Sequence, residues 1–172
     1  MTVLLVPLAR EHLAAMAALI EDPDTLRFTR VPDPPPPGFV ETWFAGYENG
    51  RADGTREGFA IVDEANRFLG LALAPTIDRR ARSVELGYVI APEARGRGVA
   101  TEALGHLTDW AFTELDVLRA ELLISVDNEA SKRVAKRCGY VYEGTLRSLW
   151  FKQDLWEDGE IWSRLPHDPP PE

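Results

Sequence analysis

Glu85-Leu86-Gly87-Tyr88-Val89-Ile90-Ala91-Pro92-Glu93-Ala94-Arg95-Gly96-Arg97-Gly98-Val99-Ala100 reads as a strand, a Gly/Arg turn and the first residues of an amphipathic helix. A turn that feeds a helix aligns free backbone N–H groups at the positive end of the helix dipole, which makes an anion site. Glycines at 96 and 98 let the main chain approach a ligand and adopt conformations closed to other residues. Arg95 and Arg97 add positive charge beside those amides. The spacing admits two readings, a phosphate cradle and a plain structural turn. It lacks the Gly-Lys-Ser/Thr ending of a P-loop, and also the third glycine and downstream acid of a dinucleotide fingerprint.

Working outward, alternation and turn residues predict strands over 3–8, 58–62, 67–76, 83–91 and 119–126. Helical spacing predicts helices over 10–21, 39–48 and 129–138, and one after the glycines with Ala100, Ala103, Leu104, Leu107 and Ala111 on one face. Residues 22–38 contain Asp33-Pro34-Pro35-Pro36-Pro37, which reads as a stiff extended loop, either a spacer or a lid. Residues 49–54 read as a loose turn, and Asp158-Gly159 as the tip of a last hairpin between strands 140–151 and 160–165. Helices around a meander of strands, with one late βαβ-like passage, suggest a mixed α/β or α+β domain over 1–165. The proline-rich 166–172 is expected to be disordered.

The chain has 172 residues, 45% hydrophobic and 27% charged, which suits one domain with a sizeable core. A formal net charge of −9 argues against general affinity for nucleic acid. No apolar run approaches a membrane span. A single cysteine, Cys138, excludes an internal disulfide and a multi-cysteine zinc site, and makes the cytoplasm the expected location. The three histidines are isolated, so no metal is expected.

Asn128-Glu129-Ala130-Ser131 follows a strand and reads as a helix start, with Asn128 as cap. Together these residues carry a resemblance. Arg95-Gly96-Arg97-Gly98-Val99-Ala100 is similar to the Arg/Gln-x-x-Gly-x-Gly/Ala signature of the GCN5-related N-acetyltransferases (GNAT), and Asn128-x-x-Ser131 resembles the start of their second cofactor segment. Glu85-Leu86-Gly87-Tyr88, Ala100-Thr101-Glu102-Ala103-Leu104 and the segment from Cys138 to Gly144 resemble the ribosomal-protein branch, which acetylates protein N-termini.

The resemblance implies a mostly antiparallel sheet with a splayed strand pair and about four flanking helices. It implies acetyl-CoA as cosubstrate, with the amides of Arg95, Gly96, Arg97, Gly98, Val99 and Ala100 on the pyrophosphate. Backbone groups of Val89 and Ile90 would pair with the pantetheine arm, and Asn128 and Ser131 would face the thioester. Glu85 is the candidate base, acting through water, with an exposed structural carboxylate as the other reading. Ser131 is the candidate donor to the leaving thiolate, or a group that only positions the cofactor. A tyrosine common in relatives one turn after the serine is absent, because 134–135 read Val-Ala. The acceptor is expected to be a primary amine, first a peptide N-terminus and otherwise a small amine. A silent acyl-CoA sensor stays open, and the resemblance is compatible with a homodimer.

Overall fold

The computed structural model describes residues 2–170. Seven strands form one sheet: β1 (Leu4–Pro7), β2 (Glu57–Val62), β3 (Phe68–Asp78), β4 (Ser83–Ile90), β5 (Arg119–Ser125), β6 (Val141–Lys152) and β7 (Leu155–Arg164), in the order β1-β2-β3-β4-β5-β7-β6. Every neighbouring pair is antiparallel except β4–β5. Five α-helices cover it: α1 (Leu13–Leu19), α2 (Pro23–Phe28), α3 (Phe39–Asp53), α4 (Val99–Glu114) and α5 (Glu129–Arg137). This is the mixed, mostly antiparallel architecture that the motifs imply.

The strand period of two assigns the helices to faces. Phe59, Ala72 and Tyr88 stand opposite one another in the register and share one face, where Phe59 meets Trp110 of α4 edge-on at 5.1 Å. Gly58, Leu73 and Gly87 share the other face, and a Cβ on Gly58 would lie 3.3 Å from Tyr47 of α3. Ala103, Leu104, Leu107 and Ala111 of α4 are fully buried, as their spacing predicts.

The parallel β4–β5 ladder is short. Only Ser83, Val84 and Glu85 pair with Arg119, Ala120 and Glu121. Beyond that point β4 stays with β3 through Ile90, whereas β5 stays with β7 through Ser125. The two parallel strands therefore diverge into a V whose inner edges are unpaired with each other. A register shift in β3 between Leu73 and Thr76, around Pro75, falls at the same level. Such a bulge increases local twist.

Three expectations change. The segment 22–38 is not loop throughout, because Asp22 caps α2 by accepting from the Thr25 N–H at 2.8 Å with Pro23 at the first helical position. Helix α3 runs through 49–53 and closes only at Gly54, which has φ +77°. Inside it, Gly50 leaves room for Arg56, whose Cβ would lie 2.4 Å from an added Cβ. The last hairpin turns at Gln153 and Asp154, with φ 51° and 58°, and not at Asp158-Gly159. Gly159 sits within β7 under Leu149 and Trp150, where a Cβ would approach them to 2.4 and 2.8 Å. A glycine in a strand for close packing looks, in sequence, like a glycine in a turn. After β7, Asp168 closes a turn by accepting from the Leu165 N–H at 2.7 Å. Pro171 and Glu172, at the end of the proline-rich tail, lie outside the described residues.

Candidate functional site

The turn between β4 and α4 supplies the cradle. Gly96 and Gly98 have φ +71° and +82°, the left-handed region that favours glycine, and a Cβ on either would meet nothing within 4 Å. Both are exposed, and Val99 is buried directly behind them. With Gly98 as N-cap, the N–H groups of Val99, Ala100 and Thr101 have no acceptor inside the helix. The space in front of the glycines and the orphaned amides fit a diphosphate.

Arg95 takes a different part from the one its position suggests. Its N–H is used by the Pro92 carbonyl at 3.3 Å, so the cradle begins at Gly96. Its guanidinium turns away, donating from Nε to the Ile90 carbonyl at 3.0 Å and from Nη2 to Asp22 at 2.5 Å, with Asp24 at 3.4 Å. Arg95 thus clamps β4 to α2 and is not mobile charge for a ligand. Its hydrogen bonds hold the Asp22 carboxyl below the usual carboxylate range, against the opposing effect of burial.

Ladder alternation separates the two residues expected to meet the pantetheine arm. The Ala91 N–H donates to Leu69 at 2.9 Å on β3, so by the period of two the backbone groups of Val89 also face β3. Those of Tyr88 and Ile90 face the open edge of the V, where the Ile90 carbonyl is occupied by Arg95. Of the two residues expected to meet the pantetheine arm, Ile90 thus lies on the open edge and Val89 on the β3 ladder, with Tyr88 beside Ile90 on the open edge.

The two candidate catalytic side chains lie on opposite faces at the V. Glu85 projects on the α3 face and pairs with the guanidinium of Arg30. Its side chain is 13% exposed against 49% for Arg30. In the same register Glu121 lies opposite Glu85 across the parallel ladder. Arg119 donates to Glu121 at 2.9 Å and grips Glu143 with both terminal nitrogens at 3.0 and 2.6 Å. Hydrogen bonds from Arg119 and then Ser163 hold the Glu143 carboxyl down, at about 2.

Ser131 lies on the other face, in the first turn of α5, where Asn128 Oδ1 accepts from its N–H at 3.1 Å. The Asn128 carbonyl is therefore spent on the cap. Lys132 holds this turn to β7 through Glu160 at 3.0 Å. The Tyr88 hydroxyl donates to Ser131 Oγ at 3.1 Å, joining β4 to α5 across the V. Tyr88 and Arg30 were not singled out from sequence. Tyr88 stands three residues after Glu85 on a strand, which puts it on the opposite face, and that offset was the available signal. Arg30 lies 55 residues from Glu85 and gave none.

Other side chains take structural parts. The Cys138 thiol is buried and donates to the Thr101 carbonyl at 3.3 Å, and burial pushes it up to about 11, so it is poorly disposed to act as a nucleophile. Tyr140 is buried with its hydroxyl 2.7 Å from Thr108 Oγ1. His12 accepts from the Ala9 N–H at 3.0 Å. Among the described residues, no three His, Cys, Asp or Glu converge as metal ligands would. No helix among them is long and apolar enough to cross a membrane.

Helix α2 spans the open end of the V. Arg95 follows β4 and holds Asp22, and Arg27 reaches Asp127 after β5 at 3.6 Å. Lys152, beside the tip of the β6–β7 hairpin, donates to the carbonyls of Leu26 and Thr29. The wall at this end of the V is thus built from α2, Arg30 and the hairpin.

Comparison with known proteins agrees with this geometry. The acetyltransferase (GNAT) domain model matches residues 2–141. The spermidine N(1)-acetyltransferase of Vibrio cholerae is 29% identical over 62% of this chain and 61% of its own length. The putative ribosomal N-acetyltransferase YdaF of Bacillus subtilis is 33% identical over 56% of this chain and 52% of its own length. The chain thus spans between half and two thirds of these curated relatives. In fold, the Vibrio cholerae spermidine N-acetyltransferase solved with CoA and spermine superposes with a TM-score of 0.85 at 24% identity, covering 97% of each chain. RimL, a ribosomal-protein α-N-acetyltransferase solved with coenzyme A, gives 0.87 at 19% identity over 95% and 94%. The matched domain, the glycine cradle and the splayed strands lead to one assignment: the chain belongs to the GNAT acetyltransferase family.

Proposed function

We propose that the chain is an acetyl-CoA-dependent N-acetyltransferase that moves acetyl directly to a primary amine, with a peptide N-terminal α-amine as preferred acceptor. The observation that carries the acetyl-CoA reading is the V between β4 and β5, which ends in the Gly96–Gly98 cradle, and the peptide preference is supported by the likeness to ribosomal-protein acetyltransferases. Acetyl-CoA fits with its diphosphate on the amides from Gly96 to Ala100 and its pantetheine arm along the Tyr88–Ile90 edge, as an added strand.

The residues divide the work. A neutral amine enters from the α3 face, where Glu85 takes its proton through water once Arg30 yields. A free α-amine, with pKa about 8, needs this help less than a lysine at about 10.4. The N–C bond forms as the C–S bond breaks, and the electron pair goes to sulfur near Ser131. An open-edge N–H of β4 meets the developing oxyanion.

A small-amine acceptor is the second reading. It is favoured by the carboxylates of Glu85, Glu121 and Glu143 on the α3 face and by the likeness to spermidine acetyltransferases. A cytoplasmic enzyme fits the lone cysteine, and a homodimer that covers the exposed Phe151, Leu155 and Trp156 of the last hairpin fits this reading. The test is a panel of N-terminal peptides, polyamines and amino acids with acetyl-CoA, monitored by free thiol. Release with peptides above all other amines is the expected result. Release only with polyamines moves the assignment to the second reading. Acetyl-CoA binding without release by any amine makes the chain a sensor.

A further inference from the structure

Tyr88 and Ser131 form a hydroxyl pair across the V, at 3.1 Å. Ser131 is fixed from several sides. Asn128 caps its N–H at 3.1 Å, Lys132 ties the same turn to Glu129 at 2.7 Å and Glu160 at 3.0 Å, and the Cys138 thiol at the helix end bonds to α4. Its hydroxyl remains the adjustable part. A serine hydroxyl carries one proton, and at 3.1 Å it accepts the proton of Tyr88. With that lone pair occupied, the Ser131 O–H is turned away from Tyr88.

We propose that Tyr88 is a positioning residue for departure of the leaving thiolate: its hydroxyl donates to Ser131 Oγ and directs the Ser131 O–H at the thioester sulfur. The proposal rests on the acetyltransferase reading. It also supplies a hydroxyl-bearing partner that the Val134-Ala135 positions of α5 do not. In this chain the tyrosine acts from strand β4.

Proton affinities decide what the pair does. Burial pushes the Tyr88 hydroxyl up to about 12, so it stays protonated, and stays a donor, throughout the working range. A thiol of ordinary acidity, near 8.5, holds a proton less firmly than that phenol. Transfer of the Tyr88 proton to sulfur is therefore uphill. The pair stabilises the thiolate by a hydrogen bond. As the C–S bond breaks its electron pair stays on sulfur, the amine proton leaves through water towards Glu85, and solvent protonates the thiolate later.

The experiment is a double-mutant cycle on the full chain: wild type, Tyr88→Phe, Ser131→Ala and the double variant, with acetyl-CoA and the best amine of the panel. Phe keeps the ring and removes only the hydroxyl. Tyr88→Phe is expected to lower kcat about tenfold, with KM for acetyl-CoA within about twofold, because one donor on developing charge is lost or misdirected. In the Ser131→Ala background it is expected to cost nothing further. A second readout is CoA binding by calorimetry from pH 7 to pH 10. Wild type is expected to bind more tightly as the thiol ionises, and both single variants to lose that gain. Unchanged kcat in Tyr88→Phe overturns the proposal. So do losses that multiply independently, or a pH gain retained in both variants. If Tyr88→Phe does not fold, Ser131→Ala decides alone, because retention of the pH gain removes the hydroxyl from the sulfur. Absence of turnover in wild type is a separate result, which overturns the acetyltransferase reading and this step with it.

Discussion

The two sides of the V are built differently. The proposed donor side is made of backbone: two glycines with positive φ, the first amides of α4 and the open edge of β4, all within one continuous stretch of chain. The proposed acceptor side is made of side chains from distant segments: Arg30 on Glu85, Lys152 on α2, and Arg119 on Glu121 and Glu143. A backbone cradle is hard to alter without breaking it. A wall of charged side chains can be re-drawn one residue at a time. On the proposed function, the fold fixes the acetyl donor and leaves the amine open to change, which agrees with a family whose relatives here are named for both spermidine and ribosomal protein.

The largest effect is expected from Gly98→Val. It forces a β-branched residue to φ near +82° and sets its side chain in the cradle. Acetyl-CoA affinity should fall by about thirtyfold or more by calorimetry, and the thermal shift given by acetyl-CoA should vanish. Retained affinity would show that the donor grip does not reside in this turn.

Arg30→Ala sharpens the contrast from the other side. It frees Glu85, and KM for the amine should change by about three- to tenfold while acetyl-CoA affinity stays within about twofold. Equal changes for both substrates would erase the distinction between the two sides.

Asp22→Asn gives the smallest effect, because it loosens the clamp on Arg95 without touching the cradle. We expect about 1 kcal/mol of stability lost at pH 7, for a part-exposed ion pair. The Asp22 carboxyl is depressed in the folded chain, so its contribution is present above the unfolded pKa, about 3.9, and is lost as pH falls through the lower folded value. The difference in melting temperature between wild type and variant should therefore be full at pH 7, begin to shrink near the unfolded pKa of about 3.9, and close as pH falls through the lower folded value. A constant difference across that range would mean that Arg95 is held by something else.

Legibility followed the same division. The turn at Gly96 and Gly98 and the Asn128 cap are readable in the sequence because turn and cap chemistry is local. The strands near them followed from alternation, and the splay from the resemblance those motifs carry. Arg95 was misread as a ligand for anions because its partners sit in α2, 71 and 73 residues away. Helix α2 itself was hidden by the proline run after it, though Asp22-Pro23 was a start signal. Tyr88 was in view throughout, but its partner lies 43 residues on, and only the structure brings the two together. Asp158-Gly159 shows the limit in the other direction, a strong local signal overruled by packing against Leu149 and Trp150.

Helix α2 is six residues long, yet it is tied to the ends of both strands of the V and to the last hairpin. It therefore couples two selections that the rest of the fold keeps apart. On the proposed function, a substitution there that re-shapes the entrance for the amine also shifts the ends of the two strands between which the pantetheine arm would lie. On that reading, new acceptor preferences reached through α2 carry a donor penalty. The short helix is thus a constraint on how the family can diversify.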